Sequence, residues 1–313
     1  MNFEHRPVLL EECIENLCIK SNGIYVDGTL GGAGHSSRIL QKLGRGGHLV
    51  GIDRDISAIE ASGERLASIK TEARYTLVND NFGNMARICS DLGIHQVDGI
   101  LLDLGVSSHQ LDEVERGFSY QHDAPLDMRM DTSQELTAET VVNDYDLDEI
   151  RRIISEYGEE RWAGRIAEFI GKARMEKRIT RTSELVDIIK AAIPAPARRQ
   201  GPHPAKRTFQ AIRIAVNNEL GILENTLEDA VSLLAPGGRL CVITFHSLED
   251  RIVKHKFREF SDPCICPDDF PVCMCGKQKK AVIVTRKPII PGDKELKENP
   301  RARSAKLRVI EKI

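Results

Sequence analysis

Four short apolar runs, each closing on a polar or acidic residue, set the pattern of the N-terminal third of the chain. The first ends at Val26 and Asp27. Leu49 to Ile52 ends at Asp53, Tyr75 to Val78 runs into Asn79 and Asp80, and Ile100 to Leu102 ends at Asp103. Helically spaced apolar positions lie between them. Ile39, Leu40 and Leu43 share one face of a predicted helix over 36–43 that stops at Gly44, and further helices are predicted from Ile56 to Leu66 and from Met85 to Leu92. Strands alternating with helices predict a doubly wound α/β sheet with right-handed crossovers. Its strand ends share one edge, and that edge is where ligands bind.

The pattern then changes. From about Thr137 to Ile193 the spacing is helical, with Trp162, Ile166, Phe169, Ile170 and Ala173 on one face. Asp146 and Glu149 have the spacing of a capping box, and Thr182 is placed to cap a helix bearing Leu185, Ile188 and Ile189. The α/β pattern resumes with a helix from Thr208, a second reaching Leu234, a turn at Pro236 to Gly238, and a strand from Arg239 to Thr244. Ser247 to Asp250 reads as a helix start. Late strands from Ala281 to Arg286 and from Ala305 to Glu311 are expected to close the sheet as an antiparallel pair, an ending typical of a methyltransferase rather than a dehydrogenase. The predicted organisation is a discontinuous α/β domain over 1–110 and 206–313, with an all-helical substrate-recognition insertion over 111–205.

The candidate chemistry begins at the end of the first strand. Asp27 is followed by a glycine-rich turn through Gly28, Gly31, Gly32 and Gly34 to His35. Side chains at those glycines would block positive φ angles or keep the backbone away from a ligand. The spacing differs from the G-x-G-x-x-G of dinucleotide-binding turns. A carboxylate at Asp27 suits an ammonium group and repels a pyrophosphate, which favours S-adenosylmethionine over a nicotinamide cofactor. Asp53 stands where a doubly wound sheet places an acid on ribose hydroxyls, and Phe82 is a candidate to lie against adenine, with a core phenylalanine as the alternative.

A net charge of −3 conceals a division. Residues 111–160 carry 15 acids against four arginines, a balance of −11, and residues 161–215 carry 13 bases against four acids, a balance of +9. Within the second block Arg198, Arg199, His203, Lys206 and Arg207 crowd around four prolines that argue against a helix. A stiff basic loop suits a phosphate backbone, and Arg213 follows in the same block. No run of about 18 apolar residues is present and the first residues lack the apolar segment of a signal peptide, so a cytoplasmic protein away from membranes is expected. Cys13, Cys18, Cys89 and Cys241 are expected to be reduced core residues. Cys264, Cys266, Cys273 and Cys275 have two readings, a structural zinc site whose four thiolates leave no open position, or ordinary loop thiols.

The chain resembles the bacterial 16S ribosomal RNA (cytosine-N4) methyltransferase H family along nearly its whole length. The resemblance is carried by residues 5–10, 27–35, 103–110, 116–119, 125–131, 203–213, 245–251 and 298–303. It implies a class I S-adenosylmethionine-dependent methyltransferase fold, Rossmann-like and mostly parallel with an antiparallel last strand, carrying an inserted helical domain. The implied activity is methylation of N4 of a cytidine in the decoding centre of 16S rRNA in the small ribosomal subunit, with no DNA substrate expected. By the same resemblance Ala33, Gly34, His35, Asp53, Phe82, Asp103 and Gln110 contact the cofactor, joined on the residue reading by Asp27 and Gly31.

Transfer to an exocyclic amine needs acceptors for the amine protons, and the end of the fourth strand is the natural place for them. Many amine-directed methyltransferases carry there an acid or asparagine followed by two prolines and an aromatic. This chain has Asp103, Leu104, Gly105 and Val106, so Asp103 is a candidate for holding cofactor, orienting the amine, or both. His35 is assigned to cofactor binding rather than to a base. His203 and His246 are either RNA-facing or ordinary histidines. A noncatalytic RNA-binding protein would leave the acid-ended strands without purpose, and a dehydrogenase would leave Asp27 and the late strand pair unexplained.

Overall fold

The computed structural model describes residues 7–199, 201, 203–267, 272 and 274–313. Its strands are β1 (Ile24–Asp27), β2 (His48–Asp53), β3 (Arg74–Asn79), β4 (Val97–Asp103), β5 (Leu234–Thr244), β6 (Ala281–Ile283) and β7 (Lys306–Lys312). They form one seven-stranded sheet in the order β3-β2-β1-β4-β5-β7-β6. The first five are parallel, and β7 runs antiparallel between β5 and β6. This is the mostly parallel sheet with an antiparallel end that the class I methyltransferase fold requires.

Period-two alternation assigns each strand residue to a layer. Val26, Ile100, Leu102, Leu240 and Val242 pack with Met85, Ile88, Leu227, Val231 and Phe257, from helices Met85–Asp91, Leu223–Leu233 and Ser247–Ser261. Tyr25, Leu49, Leu101, Cys241 and Ile243 face the other way, against Cys13, Leu17, Ile39, Leu40 and Leu66 of helices Leu10–Leu17, Gly34–Lys42 and Ile56–Ala67. With both faces covered, nearly every side chain of the central strands is buried, and only the strand ends remain for chemistry.

Two local readings change in the sheet. Pro236 to Gly238 are not a turn after a helix; that helix stops at Leu233, and the three residues lie in the irregular start of β5, where the register with β4 slips between Val97 and Gly99. Strand β6 ends at Ile283 rather than Arg286 because Val284 and Thr285 both direct their N–H groups at the Val309 carbonyl, and regular pairing fails there.

By packing, the chain divides into two compact units, one of residues up to Gly105 and from Leu220 onward, the other Val106–Glu219. The sequence pattern puts the breaks after 110 and before 206, so the helix Lys206–Asn217 changes sides. The reason is its apolar face. Phe209, Ala211, Ile212 and Val216 complete a core with Val141, Ile153, Ile154, Ile166, Ile170 and Ile189 in the second unit. Asn217, buried, secures the same helix by accepting from Met130 N at 2.8 Å and donating to Met128 O at 2.8 Å.

The second unit is helical, and an isolated bridge between Pro125 and Arg181 is its extended pairing among the described residues. Its helix caps differ from expectation. Asp146 occupies the N-cap of Leu147–Gly158 without a side-chain bond, while Glu149 pairs with Arg152 at 2.6 Å. Thr182 is the first residue of helix Thr182–Ala192 and ties two backbone groups instead, donating to His122 O at 2.7 Å and accepting from Ala124 N at 2.9 Å. Glu184 does the capping, accepting from Thr180 N and Arg181 N.

Candidate active site

The order of strands reverses between β1 and β4, the switch point where α/β sheets open a crevice. Asp27, the last residue of β1, is level with Gly51 of β2 and Leu101 of β4. Asp53 and Asp103 therefore extend two residues further on either side, about 6.6 Å along each strand, and all three side chains share one pleat parity. The short central strand leaves a notch between two longer ones. The glycine turn fills it.

Backbone bonds hold that turn down on both sides. Gly28 N donates to Leu101 O at 2.9 Å, Leu30 N to Ile52 O at 3.0 Å, and Asp103 N to Thr29 Oγ1 at 2.6 Å. From the flank, Ser62 Oγ donates to Gly31 O at 2.7 Å and Arg65 Nη1 to Gly32 O at 2.9 Å. The glycines have separate tasks. Gly31 takes a left-handed φ of 49°; a Cβ on Gly34 would collide with Pro7; a Cβ on Gly32 would meet nothing within 4 Å. The strained residue at the helix start is Ala33, left-handed at φ 54° and fully buried. The helix itself begins at Gly34 and ends at Lys42, two residues earlier at its start than the spacing predicts.

The acids are engaged unequally. Asp27, 1% exposed, accepts from Ser36 Oγ at 2.7 Å and Thr29 N at 3.2 Å, so both oxygens serve the turn. Burial outweighs those bonds and pushes its carboxyl up to about 6. Asp53 accepts from Gly31 N at 2.8 Å and Asp55 N at 2.9 Å, and burial raises it as well. Asp103 Oδ1 is buried without a hydrogen-bond partner. Burial, with the charges of Asp27 and Glu249, holds this carboxyl well above the usual carboxylate range. His35 is pinned by Val8 O at 3.0 Å from Nε2; a carbonyl only accepts, so Nε2 carries the proton and Nδ1 faces Asp103 Oδ2 at 3.8 Å. Phe82 lies against the core at the start of a short 3₁₀ turn, beside Gly28.

The cluster is a set of three buried carboxyls held above their ordinary range, with one acceptor left unbonded, and a cation carrying hydroxyl and amine donors would draw them towards their charged forms. The profile of the MraW methylase family matches residues 2–313. The chain belongs to the MraW methylase family. Relatives named ribosomal RNA small subunit methyltransferase H include one from Acetivibrio thermocellus, 65% identical over 313 residues with all of both chains covered. Others are from Ruminiclostridium cellulolyticum, 63% identical over 313 residues with both chains fully covered, and Clostridioides difficile, 56% identical with the same full coverage. The resemblance to the methyltransferase H family thus holds across the whole chain.

Several working parts of this MraW methylase escape sequence reading. Thr29 holds the Asp103 backbone, and Glu249, 2% exposed, supplies charge beside Asp103 while accepting from Phe245 N at 2.8 Å. The signal for Glu249 is the spacing His246-x-x-Glu249. His246 caps the helix Ser247–Ser261 through Nδ1 with its side chain 8% exposed, a structural task.

Gln110, buried in the second unit, closes a capping box by accepting from Ser107 N at 3.0 Å. Arg198 and Arg199 are exposed at the end of a single helical turn, Ala195–Arg198, which prolines allow because they fall in its first turn. Lys206 is exposed, His203 stacks on Tyr120 with ring centroids 4.7 Å apart, and Arg207 donates to Glu159 O at 3.1 Å. Arg213 has a partner of its own. It clasps Glu219 at 2.9 Å through both Nε and Nη2, with a side chain 15% exposed. Of the scattered cysteines, Cys13, Cys89 and Cys241 are buried as expected, but Cys18 is exposed at a helix end. Cys264, Cys266 and Cys275 come together, their sulfurs within 4.8 Å of one another. Cys273 lies outside the described residues.

Proposed function

We propose that this MraW methylase transfers a methyl group from S-adenosylmethionine to N4 of a cytidine in the decoding centre of 16S rRNA, acting in the cytoplasm on the small ribosomal subunit. The observation that carries the reading is Asp103 Oδ1, a buried acceptor with no partner at the switch point of the sheet. The relatives' names support an rRNA substrate. The base and atom rest on the match of motif blocks and on the chemistry of Asp103.

The residues fit the cofactor. Asp27, Asp53 and Asp103 line the notch with buried carboxyls that a bound cation would draw into their charged forms, the open space beside Gly32 admits a ligand against bare backbone, and Phe82 offers a ring face beside Gly28. Bound there, S-adenosylmethionine supplies an activated methyl on a sulfonium. Asp53 presents its carboxylate to ribose hydroxyls, while Asp27 shapes the turn and adds charge from beneath. Asp103 accepts a proton of the incoming amine in a hydrogen bond, which draws the nitrogen lone pair out of conjugation and aims it at the methyl carbon. His35, held through Nε2 by Val8 O, is assigned to cofactor binding rather than to a base, and the proton lost by the methylated amine leaves to solvent after transfer. The target base has to be unstacked to reach a sheet edge. Arg198, Arg199, Lys206, Arg207 and the Tyr120–His203 stack are assigned to the flanking RNA; Arg213, committed to Glu219, is not.

The test is incubation of the protein with labelled S-adenosylmethionine and small subunits or 16S RNA from cells lacking the activity, followed by mapping of the modified nucleotide by mass spectrometry. One methyl on N4 of one decoding-centre cytidine is expected. Label on another base, on a ribose or on protein overturns the reading.

A further inference from the structure

Between the helix Ser247–Ser261 and β6 the chain makes an excursion in which the described residues form no helix or strand. Its base is clamped, since Lys280 N donates to Phe260 O at 2.9 Å. Among the described residues beyond the clamp, Ile265, Val272 and Met274 are 69%, 67% and 76% exposed. Burial of those three side chains therefore does not anchor the excursion, although it carries three thiols gathered in one place.

We propose that Cys264, Cys266 and Cys275 form a structural zinc site that pins this excursion. Their sulfurs lie within 4.8 Å of one another. Thiolates on one tetrahedral zinc, at about 2.3 Å each, stand roughly 3.8 Å apart, so closing on the ion takes movements of about an ångström or less. The loop is also shaped for a thiolate. Met274 N donates to Cys266 Sγ at 3.2 Å, a bond that favours the charged sulfur. Immediately after Cys275 the chain turns through Gly276 at φ 65°, a conformation other residues resist. Soft sulfur ligands on a tight loop select zinc over magnesium or calcium, which prefer oxygen. On binding, each thiol releases its proton to solvent as its sulfur takes the metal, with no change of oxidation state. The site stands apart from the methyl-transfer reading and does not depend on it.

The experiment uses the full chain, expressed with zinc in the medium and purified under reductant without chelators. Elemental analysis is expected to find one zinc per chain, retained in Cys18→Ser and lost in Cys266→Ser and in Cys275→Ser. Cobalt substitution of the wild type is expected to give a thiolate-to-metal charge-transfer band, and stripping the metal is expected to speed tryptic cleavage at Lys277 and Lys279 roughly tenfold by loosening the excursion. Circular dichroism of the serine variants separates loss of metal from loss of fold. Wild-type protein without stoichiometric metal, zinc that persists in a folded Cys266→Ser/Cys275→Ser double variant, or iron in place of zinc overturns the proposal.

Discussion

At the residue scale, Asp103 has one oxygen without a bond and a carboxyl raised by burial, Asp27 and Glu249. Asp103→Asn keeps the shape but removes the ionisable carboxyl, and is expected to lower single-turnover methyl transfer by roughly a hundredfold or more. Measuring cofactor affinity by calorimetry on the same variant separates a cofactor contact from orientation of the amine. Asp27 gives a pH prediction. Its carboxyl rises from 3.8 to about 6, so the neutral form suits the folded chain. That contribution is complete below the unfolded value and is lost as pH climbs through about 6, a total of roughly 3 kcal/mol. Asp27→Asn is therefore expected to flatten the decline in stability between about pH 4 and 7 in the cofactor-free protein, read by hydrogen exchange of β1 amides. Added S-adenosylmethionine, being cationic, is expected to stabilise wild type more at neutral pH than at pH about 5. The acids were legible because each closes an apolar run. Thr29 and Glu249 were not, since their importance lies in which neighbour they reach.

At the element scale, apolar periodicity located the strands and most helices, while caps and ends depended on partners from distant segments. Thr182 has the chemistry of an N-cap, yet it bonds His122 and Ala124 because the chain there passes close by. His246 shows the converse, a motif histidine whose task is to start a helix. Replacing it, His246→Ala, is expected to cost about 1 kcal/mol and to raise hydrogen-exchange rates in the first turn of Ser247–Ser261. Asn217→Ala leaves the Met130 N–H and the Met128 carbonyl buried without their partner; a loss of about 2 to 3 kcal/mol, confined to the exchange protection of Val106–Glu219, is expected.

At the scale of the whole molecule, the charge division becomes a division of labour. Exposed Arg198 and Arg199 contrast with the paired Arg213, although all three sit in one basic block. Arg198→Ala with Arg199→Ala is expected to weaken RNA binding and to reduce the slope of log K against log salt by about 1.4 if both meet phosphates of a single strand. Arg213→Ala is expected to show up in stability instead, with the salt slope unchanged. Sequence alone determined the α/β class, the helical insertion, the acid-ended strands and the glycine turn, because each is written in local periodicity or in residue types that only one backbone path tolerates. Tertiary structure decided which unit owns helix Lys206–Asn217, that Thr182 is drawn to His122 and Ala124 instead of capping its helix, and that Thr29 and Glu249 gather at Asp103. Those outcomes depend on distances between residues far apart in the chain, and no local pattern encodes them.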